Sequence, residues 1–306
     1  MTEHGTSSKG ATTAHAPAHR AVLRFAPSPN GALHLGHALS ALTGYEMAQR
    51  LGGRFLVRIE DIDVGRSRPE HVAGIFRDLA WLGITWEEPV LFQSQHFADY
   101  EAAAARLAAM GLLYPCFATR AEIAAAADSN ARDPDGAPLY PGLHRGLGVR
   151  EIARRKALGQ PFAMRLDMQA ALAAARRMTG DAPLTYEALD ETLAPRTVAA
   201  APARWGDVVI QRKDAPTSYH MAVVVDDARQ GITHVVRGLD LLPATDVHRL
   251  LQVLLGLPAP LYHHHRLLLG SDDLKLSKSR GDTSLAALRA QGLTPTDIRR
   301  TIGIER

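Results

Sequence analysis

The first clear pattern is Val22, Leu23 and Phe25, a short apolar run fit for a buried strand. Pro27, Pro29, Asn30 and Gly31 then break the backbone. From His37 the segment ALSALTGYEMAQR is helical, with Leu39, Leu42 and Met47 among its apolar positions. A helix therefore begins around residues 34–37. Residues 54–60, RFLVRIE, read as a second strand ending in Glu60, Asp61 and Asp63. Residues 69–83 predict a helix with Val72, Ile75, Phe76, Leu79 and Leu82 on one face. Trp81 and Trp86 flank its end and read as core. Another helix opens at residues 92–95, takes Ser94 as N-cap and runs to about Met110.

Residues 114–205 interrupt this alternation. They are Ala/Arg-rich and irregular, with a loop over 129–148, and read as an insertion between two halves of one sheet. Strand-like patterns resume at 204–213, 217–227 and 232–238, with a turn around Asp214 and Pro216. A helix is expected over 245–255, and one or two short helices over 283–306. His263, His264 and His265 follow Tyr262. Strand side chains alternate sides, so the three cannot face one metal, and they read as loop or strand residues.

Composition narrows the class. At 306 residues the chain holds about two domains. Its 46% apolar and 22% charged content is that of a soluble globular protein. A net charge of +3 permits an RNA partner without demanding one. The single cysteine, Cys116, rules out an internal disulfide and suits a reducing cytoplasm. No apolar run approaches the roughly 18 residues of a membrane helix. Residues 1–20 lack the apolar core of a signal peptide and read as a disordered tail.

The candidate chemistry begins at His34-Leu35-Gly36-His37. Helix starts carry unpaired N–H groups and a positive dipole end, which suits phosphate. Two imidazoles three residues apart can both face such an anion, and Gly36 lets a nucleotide approach the backbone. Taken alone, the pair reads as well as exposed or metal-binding histidines. About 240 residues on lies Lys275-Leu276-Ser277-Lys278-Ser279, which alone would be a solvated loop.

Together HLGH and KLSKS resemble the two signatures of class I aminoacyl-tRNA synthetases, and FAPSPNGALHLGH resembles their glutamyl branch. The resemblance covers roughly residues 21–300 and is weakest at 114–205 and in the tail. It implies an α/β fold: a Rossmann-type class I synthetase catalytic domain with an inserted acceptor-type domain and a short helical C-terminal remnant. The expected division is a tail at 1–20, catalytic halves at 21–113 and 206–240, an RNA-facing insertion at 114–205, and the KLSKS loop with a truncated helical region at 241–306.

The same resemblance implies roles. His34, His37 and Lys278 would stabilise phosphate charge, and Gly36, Lys275, Ser277 and Lys278 would surround ATP, with Mg2+ accompanying it. Arg24, Phe25, Ala26, Pro27 and Ser28 would line the glutamate site with Glu60, Tyr219 and Arg237. Arg24 and Arg237 would neutralise carboxylate, since an arginine fork meets one bidentately. Glu60, at a strand's carboxyl end, would meet the ammonium. Without the resemblance, Glu60 belongs to a surface acidic cluster, and Tyr219 and Arg237 are structural.

Within the glutamyl-queuosine group, a zinc site is built as Cys-x-Cys followed by Tyr-x-x-x-Cys. Here the positions hold Cys116, Ala118, Tyr140 and His144, with two cysteines replaced. Tetrahedral zinc wants four ligands, so no zinc is expected and Cys116 reads as a packed free thiol.

Three departures point away from full glutamyl-tRNA synthetases. Only 27 residues follow Ser279; Arg237-Gly238 continues as Leu239-Asp240-Leu241 rather than Asp-Asp-His; and the segment after HLGH lacks the usual arginine. All three resemble glutamyl-queuosine tRNA(Asp) synthetases. The implied activity is tRNA-independent activation of glutamate with ATP, then transfer to the queuosine cyclopentene-diol of tRNA(Asp), by a cytoplasmic monomer with no membrane partner. A truncated glutamyl-tRNA synthetase charging tRNA(Glu), a catalytically silent RNA-binding paralogue and a small-molecule nucleotidyltransferase remain as alternatives. The last leaves the glutamyl-type phrases without explanation.

Overall fold

The computed structural model describes residues 20–268 and 283–304. The expectations for residues 1–19 and for Lys275, Ser277 and Lys278 lie outside the described residues.

Strand β1 (Val22–Phe25) leads through the Pro/Gly turn into helix α1 (Leu35–Arg50), and β2 (Arg54–Ile59) returns beside β1. Helix α2 (Pro69–Trp81) starts on a proline, whose missing N–H costs nothing there, and feeds β3 (Glu87–Phe92) and α3 (Phe97–Ala109). Then come β4 (Leu113–Cys116), α4 (Arg120–Ala126), α5 (Val149–Ala157), β5 (Ala163–Leu166) and α6 (Met168–Thr179). Strands β6 (Thr185–Leu189), β7 (Pro195–Ala199) and β8 (Val209–Gln211) precede α7 (Tyr219–Arg229), β9 (His234–Gly238), α8 (Ala244–Leu255) and β10 (Leu261–His265). Helices α9 (Leu285–Ala290) and α10 (Pro295–Ile302) follow.

The main sheet has seven strands in the order β3-β2-β1-β9-β10-β6-β7, parallel except for β7. Strand order runs outward from β1 one way and from β9 the other, so a crevice opens where they meet, beyond their carboxyl ends. A small antiparallel sheet has the order β4-β5-β8.

Alternation sorts the strand side chains onto two faces. Leu23, Phe25, Val57 and Val236 pack with Leu39 and Leu42 of α1 and Ile75 and Leu79 of α2; Ile298 and Ile302 of α10 complete that core. Val22, Leu56, Val235 and Tyr262 cluster on the other face. The same alternation puts Arg24, Arg58, Arg237 and His264 on this second face. There Asp227 of α7 bonds Arg24 and Arg58. Helices α3, α6, α7 and α8 build a further core around Leu107, Met221 and Leu250.

The α/β class and the parallel sheet with its central crevice match the sequence reading, but several elements differ. Residues 217–227 are not strand-like; they form most of α7. Met221, Ala222, Val223 and Val224 are all buried, so the run shows no polar face. Packing on every side overrides valine's strand preference. Residues 87–92, passed over in the sequence, form β3. It is an edge strand, where Glu87, Glu88 and Pro89 are tolerated. Ser94 is no N-cap: its hydroxyl donates to Asp61 at 2.6 Å and its N–H at 2.8 Å, and α3 begins only after His96. The 114–205 stretch divides between sheets, because β6 pairs with β10 in the main sheet. Conversely β8, beyond residue 205, joins β5 in the small one. No helix among the described residues is long and apolar enough to cross a membrane.

Candidate active site

The first wall is the start of α1. His34 is its N-cap, and its Nδ1 accepts the Gly36 N–H at 3.1 Å. The His37 Nδ1 accepts the His34 N–H at 3.2 Å, so two imidazoles make a reciprocal capping box. Their rings lie 3.9 Å apart. Because backbone N–H groups use both Nδ1 lone pairs, each neutral ring keeps its proton on Nε2. A Cβ on Gly36 would stand 3.0 Å from the His34 ring. Ser284 forms a β-bridge with His34, and the Leu285 N–H donates to the Leu33 carbonyl at 2.8 Å, tying the last helices to this turn.

The floor is a buried charge cluster. The Arg24 guanidinium meets both Asp227 oxygens, at 3.0 and 3.4 Å. Arg58 is fully buried; it donates to Asp227 at 2.7 Å and Glu60 at 3.2 Å, with Asp226 at 3.9 Å. Asp226 also accepts from Gln93 at 2.7 Å and Tyr100 at 2.9 Å. Burial opposes the Arg58 charge, but the carboxylates around it outweigh burial and raise its pKa. Burial pushes the Glu60 and Asp226 carboxyls up against the pull of Arg58. Asp227 suffers the same burial, yet Arg24 and Arg58 hold it below the usual range. Sequence reasoning missed Asp226 and Asp227 and gave Arg58 no role in the site. The available signal was an acidic pair closing a valine-rich run.

The third wall is Arg237 on β9. It donates to Thr245 Oγ1 at 2.6 Å, His264 Nε2 at 3.2 Å, His248 Nδ1 at 3.2 Å and Tyr219 Oη at 3.4 Å. It is 5% exposed and, unlike Arg24 and Arg58, bonds no carboxylate among the described residues. Sequence reasoning missed Thr245, His248 and His264, which lay in a plain helix and a histidine run.

These walls enclose a cavity of about 390 Å³. Arg24, Phe25, Ala26, Pro27 and Ser28 line it together with His34, Gly36 and His37. So do Glu60, Tyr219 and Arg237, which the sequence assigned beside them. A second cavity of about 190 Å³ shares Ser28, Asn30, Glu60 and Tyr219 with the first and adds Asp63, Arg66 and Arg212.

The positions matched to a zinc site do converge. Cys116 Sγ lies 3.3 Å from Tyr140 Oη, and His144 Nδ1 accepts the N–H groups of Phe117 and Ala118 at 3.1 and 3.2 Å. Lys213 Nζ donates to the carbonyls of Phe117 and Ala118 at 2.7 and 2.9 Å. Burial and Arg155 keep the His144 pKa low. Ala118 offers no ligand atom and the His144 Nδ1 is already used, so this set does not fit a tetrahedral zinc. No cluster of metal-ligating side chains occurs among the described residues.

The catalytic-domain family of class I tRNA synthetases (E and Q) matches residues 20–304, and the chain belongs to that family. The Glutamyl-Q tRNA(Asp) synthetase of Rhodobacter capsulatus is 45% identical over 292 residues, 92% of this chain and 100% of that protein. The protein of that name from Symbiobacterium thermophilum is 40% identical, over 90% of this chain and 83% of its own. Within the family, the chain falls in the glutamyl-Q tRNA(Asp) synthetase branch. The crystal structure of glutamate-tRNA synthetase from Elizabethkingia anophelis superposes with a TM-score of 0.66 at 28% identity, over 86% of this chain. The chain spans 53%, about half, of that structure.

Proposed function

We propose that this chain activates glutamate with ATP, without tRNA, and transfers the glutamyl group to the queuosine cyclopentene-diol of tRNA(Asp). One observation carries the reading. A single cavity joins an anion-ready helix start to Arg237, a buried guanidinium that no carboxylate meets among the described residues. A substrate carrying both phosphate and carboxylate completes that arrangement.

In the first step the glutamate α-carboxylate attacks the α-phosphorus of ATP, and pyrophosphate leaves. The positive end of the α1 dipole and the rings of His34 and His37 stabilise the phosphates, since the Gly36, His37 and Ala38 N–H groups are already bonded within the helix start. Glu60 receives the substrate ammonium, which would draw its raised pKa back down. Of the five N–H donors on an arginine, Arg237 spends four on its neighbours. A carboxylate would thus meet its charge and one N–H, beside the Tyr219 hydroxyl, rather than an open fork. Lys275, Ser277 and Lys278 would join ATP, and Mg2+ would accompany the triphosphate. In the second step a ring hydroxyl attacks the acyl carbon and AMP leaves; no side chain need act as nucleophile. The adjoining cavity lined by Arg66 and Arg212 is of a size for the cyclopentene-diol end of the acceptor, not for its whole nucleoside. The names of the relatives at 45% and 40% identity support tRNA(Asp) as acceptor. A tRNA substrate supports the cytoplasm as the site of action.

The test is glutamate-dependent ATP–pyrophosphate exchange without tRNA, then transfer of labelled glutamate to tRNA(Asp) with and without queuosine. Label should need queuosine and map to the anticodon fragment. Exchange that requires tRNA(Glu), or label on the 3′ end of tRNA(Glu), overturns the assignment in favour of a glutamate–tRNA ligase.

A further inference from the structure

Arg237 is unusual in the company it keeps. A buried guanidinium normally meets a carboxylate, as Arg24 and Arg58 do here. Around Arg237 each element supplies neutral acceptors instead. Helix α8 brings Thr245 and His248, one turn apart; β10 brings His264, in register directly opposite Arg237; α7 brings Tyr219. A second ring of the same kind stands behind, since His220 Nδ1 lies 3.2 Å from His248 Nε2. The face of Tyr262 lies 5.4 Å from the guanidinium carbon.

The proton pattern closes on itself. Arginine only donates, so His264 Nε2 and His248 Nδ1 must carry no proton. With no proton on His264 Nε2, the Thr245 hydroxyl is the donor in their 3.3 Å contact, so that nitrogen accepts from both Thr245 and Arg237. His248 then holds its proton on Nε2 and donates to His220 Nδ1. Resting on the glutamate reading above, we infer that Thr245, His248 and His264 form a neutral cradle that positions Arg237 and leaves its charge for the substrate carboxylate.

The surroundings keep the cradle neutral. Burial, followed by the Arg237 charge, pushes His264 down to about 3 and His220 down to about 4, and His248 well below its ordinary value. Arg24 and the neighbouring rings of His263 and His265 act in the same direction. Glu60 and Asp227, the acids that act on neighbouring Tyr219, are already held by Arg58 and Arg24, and Asp246 of α8 is held by Arg204. A carboxylate in the cradle would bind Arg237 permanently and compete with glutamate. A protonated histidine would repel Arg237 and lose its acceptor.

The experiment uses the full chain and measures KM for glutamate, KM for ATP and kcat in pyrophosphate exchange. Thr245→Val removes the shortest acceptor at nearly constant volume. It should raise KM for glutamate about 10-fold or more, as for loss of a hydrogen bond to a charged group, with KM for ATP unchanged. Thr245→Ser should restore it, and His248→Asp, which offers a competing carboxylate, should raise it as far. Unchanged KM for glutamate in Thr245→Val, parallel rises in both KM values, or no rescue by serine overturns the cradle. Labelling with 15N-histidine gives a readout free of catalysis: His264 Nε2 and His248 Nδ1 should both be unprotonated at neutral pH. Absence of glutamate-dependent exchange in the unsubstituted chain would instead refute the glutamate reading, while the nitrogen signals still decide whether the cradle exists.

Discussion

Replacing Arg58 by Met tests how the floor of the site is held together. Arg58 is 0% exposed and faces three carboxylates, those of Asp227, Glu60 and Asp226. Methionine fills much of the volume but leaves Glu60 and Asp226 with no guanidinium partner, and Asp227 with Arg24 alone. Removing one member of a buried ion pair costs about 3–5 kcal/mol. At roughly 2 °C per kcal/mol for a chain of this size, Tm should fall by about 6–10 °C at pH 8. The carboxyls have an escape: they can take a proton. Burial already raises Glu60 and Asp226 against the pull of Arg58, and without it they rise further. A carboxyl whose folded pKa is raised binds more protons folded than unfolded, so stability falls as pH rises between the two values. Each such group contributes about 1.4 kcal/mol per pH unit in that window. The loss in Arg58→Met should therefore shrink markedly between pH 8 and pH 5. Thermal melts of both proteins across that range measure it. A Tm loss below about 2 °C at pH 8, or one that does not change with pH, would refute the reasoning.

Gly36→Ala should separate stability from activity. Alanine gains about 1 kcal/mol of helix propensity, while its Cβ presses on the His34 ring at 3.0 Å. Melting should change by only a few degrees, but pyrophosphate exchange should fall about 10-fold or more; full activity would show that the ring position does not matter. Metal analysis of the purified protein should find well under one zinc per chain, because Ala118 and His144 occupy two of the ligand positions. Stoichiometric zinc that survives dialysis against a chelator would contradict that.

The parts of this protein legible in its sequence were those fixed by near neighbours. The β1–turn–α1 unit follows from a four-residue apolar run, two prolines and a helical period. HLGH at the helix start, with the phrases around it, carried the family and the glutamate reading. Strands β2 and β9 and helices α2 and α8 announced themselves by periodicity in the same way. Glu60, Tyr219 and Arg237 were found through their flanking phrases, and all three line the cavity.

What the sequence left open depends on partners far away along the chain. Arg24 finds Asp227 across 203 positions and Arg58 finds it across 169, and no local pattern marks such a match. The valine-rich run became helix α7 because α3 and α8 pack against it and Arg24 and Arg58 of the sheet bond its Asp227, a condition that exists only in the assembled core. His264 stands opposite Arg237 because of the β9–β10 register, and His248 reaches the same guanidinium from α8. Local sequence singled out residues that line one cavity. Tertiary packing decided that one arginine there, Arg237, would be surrounded by neutral acceptors, because only close-packed neighbours can put imidazole and hydroxyl where a carboxylate would otherwise stand.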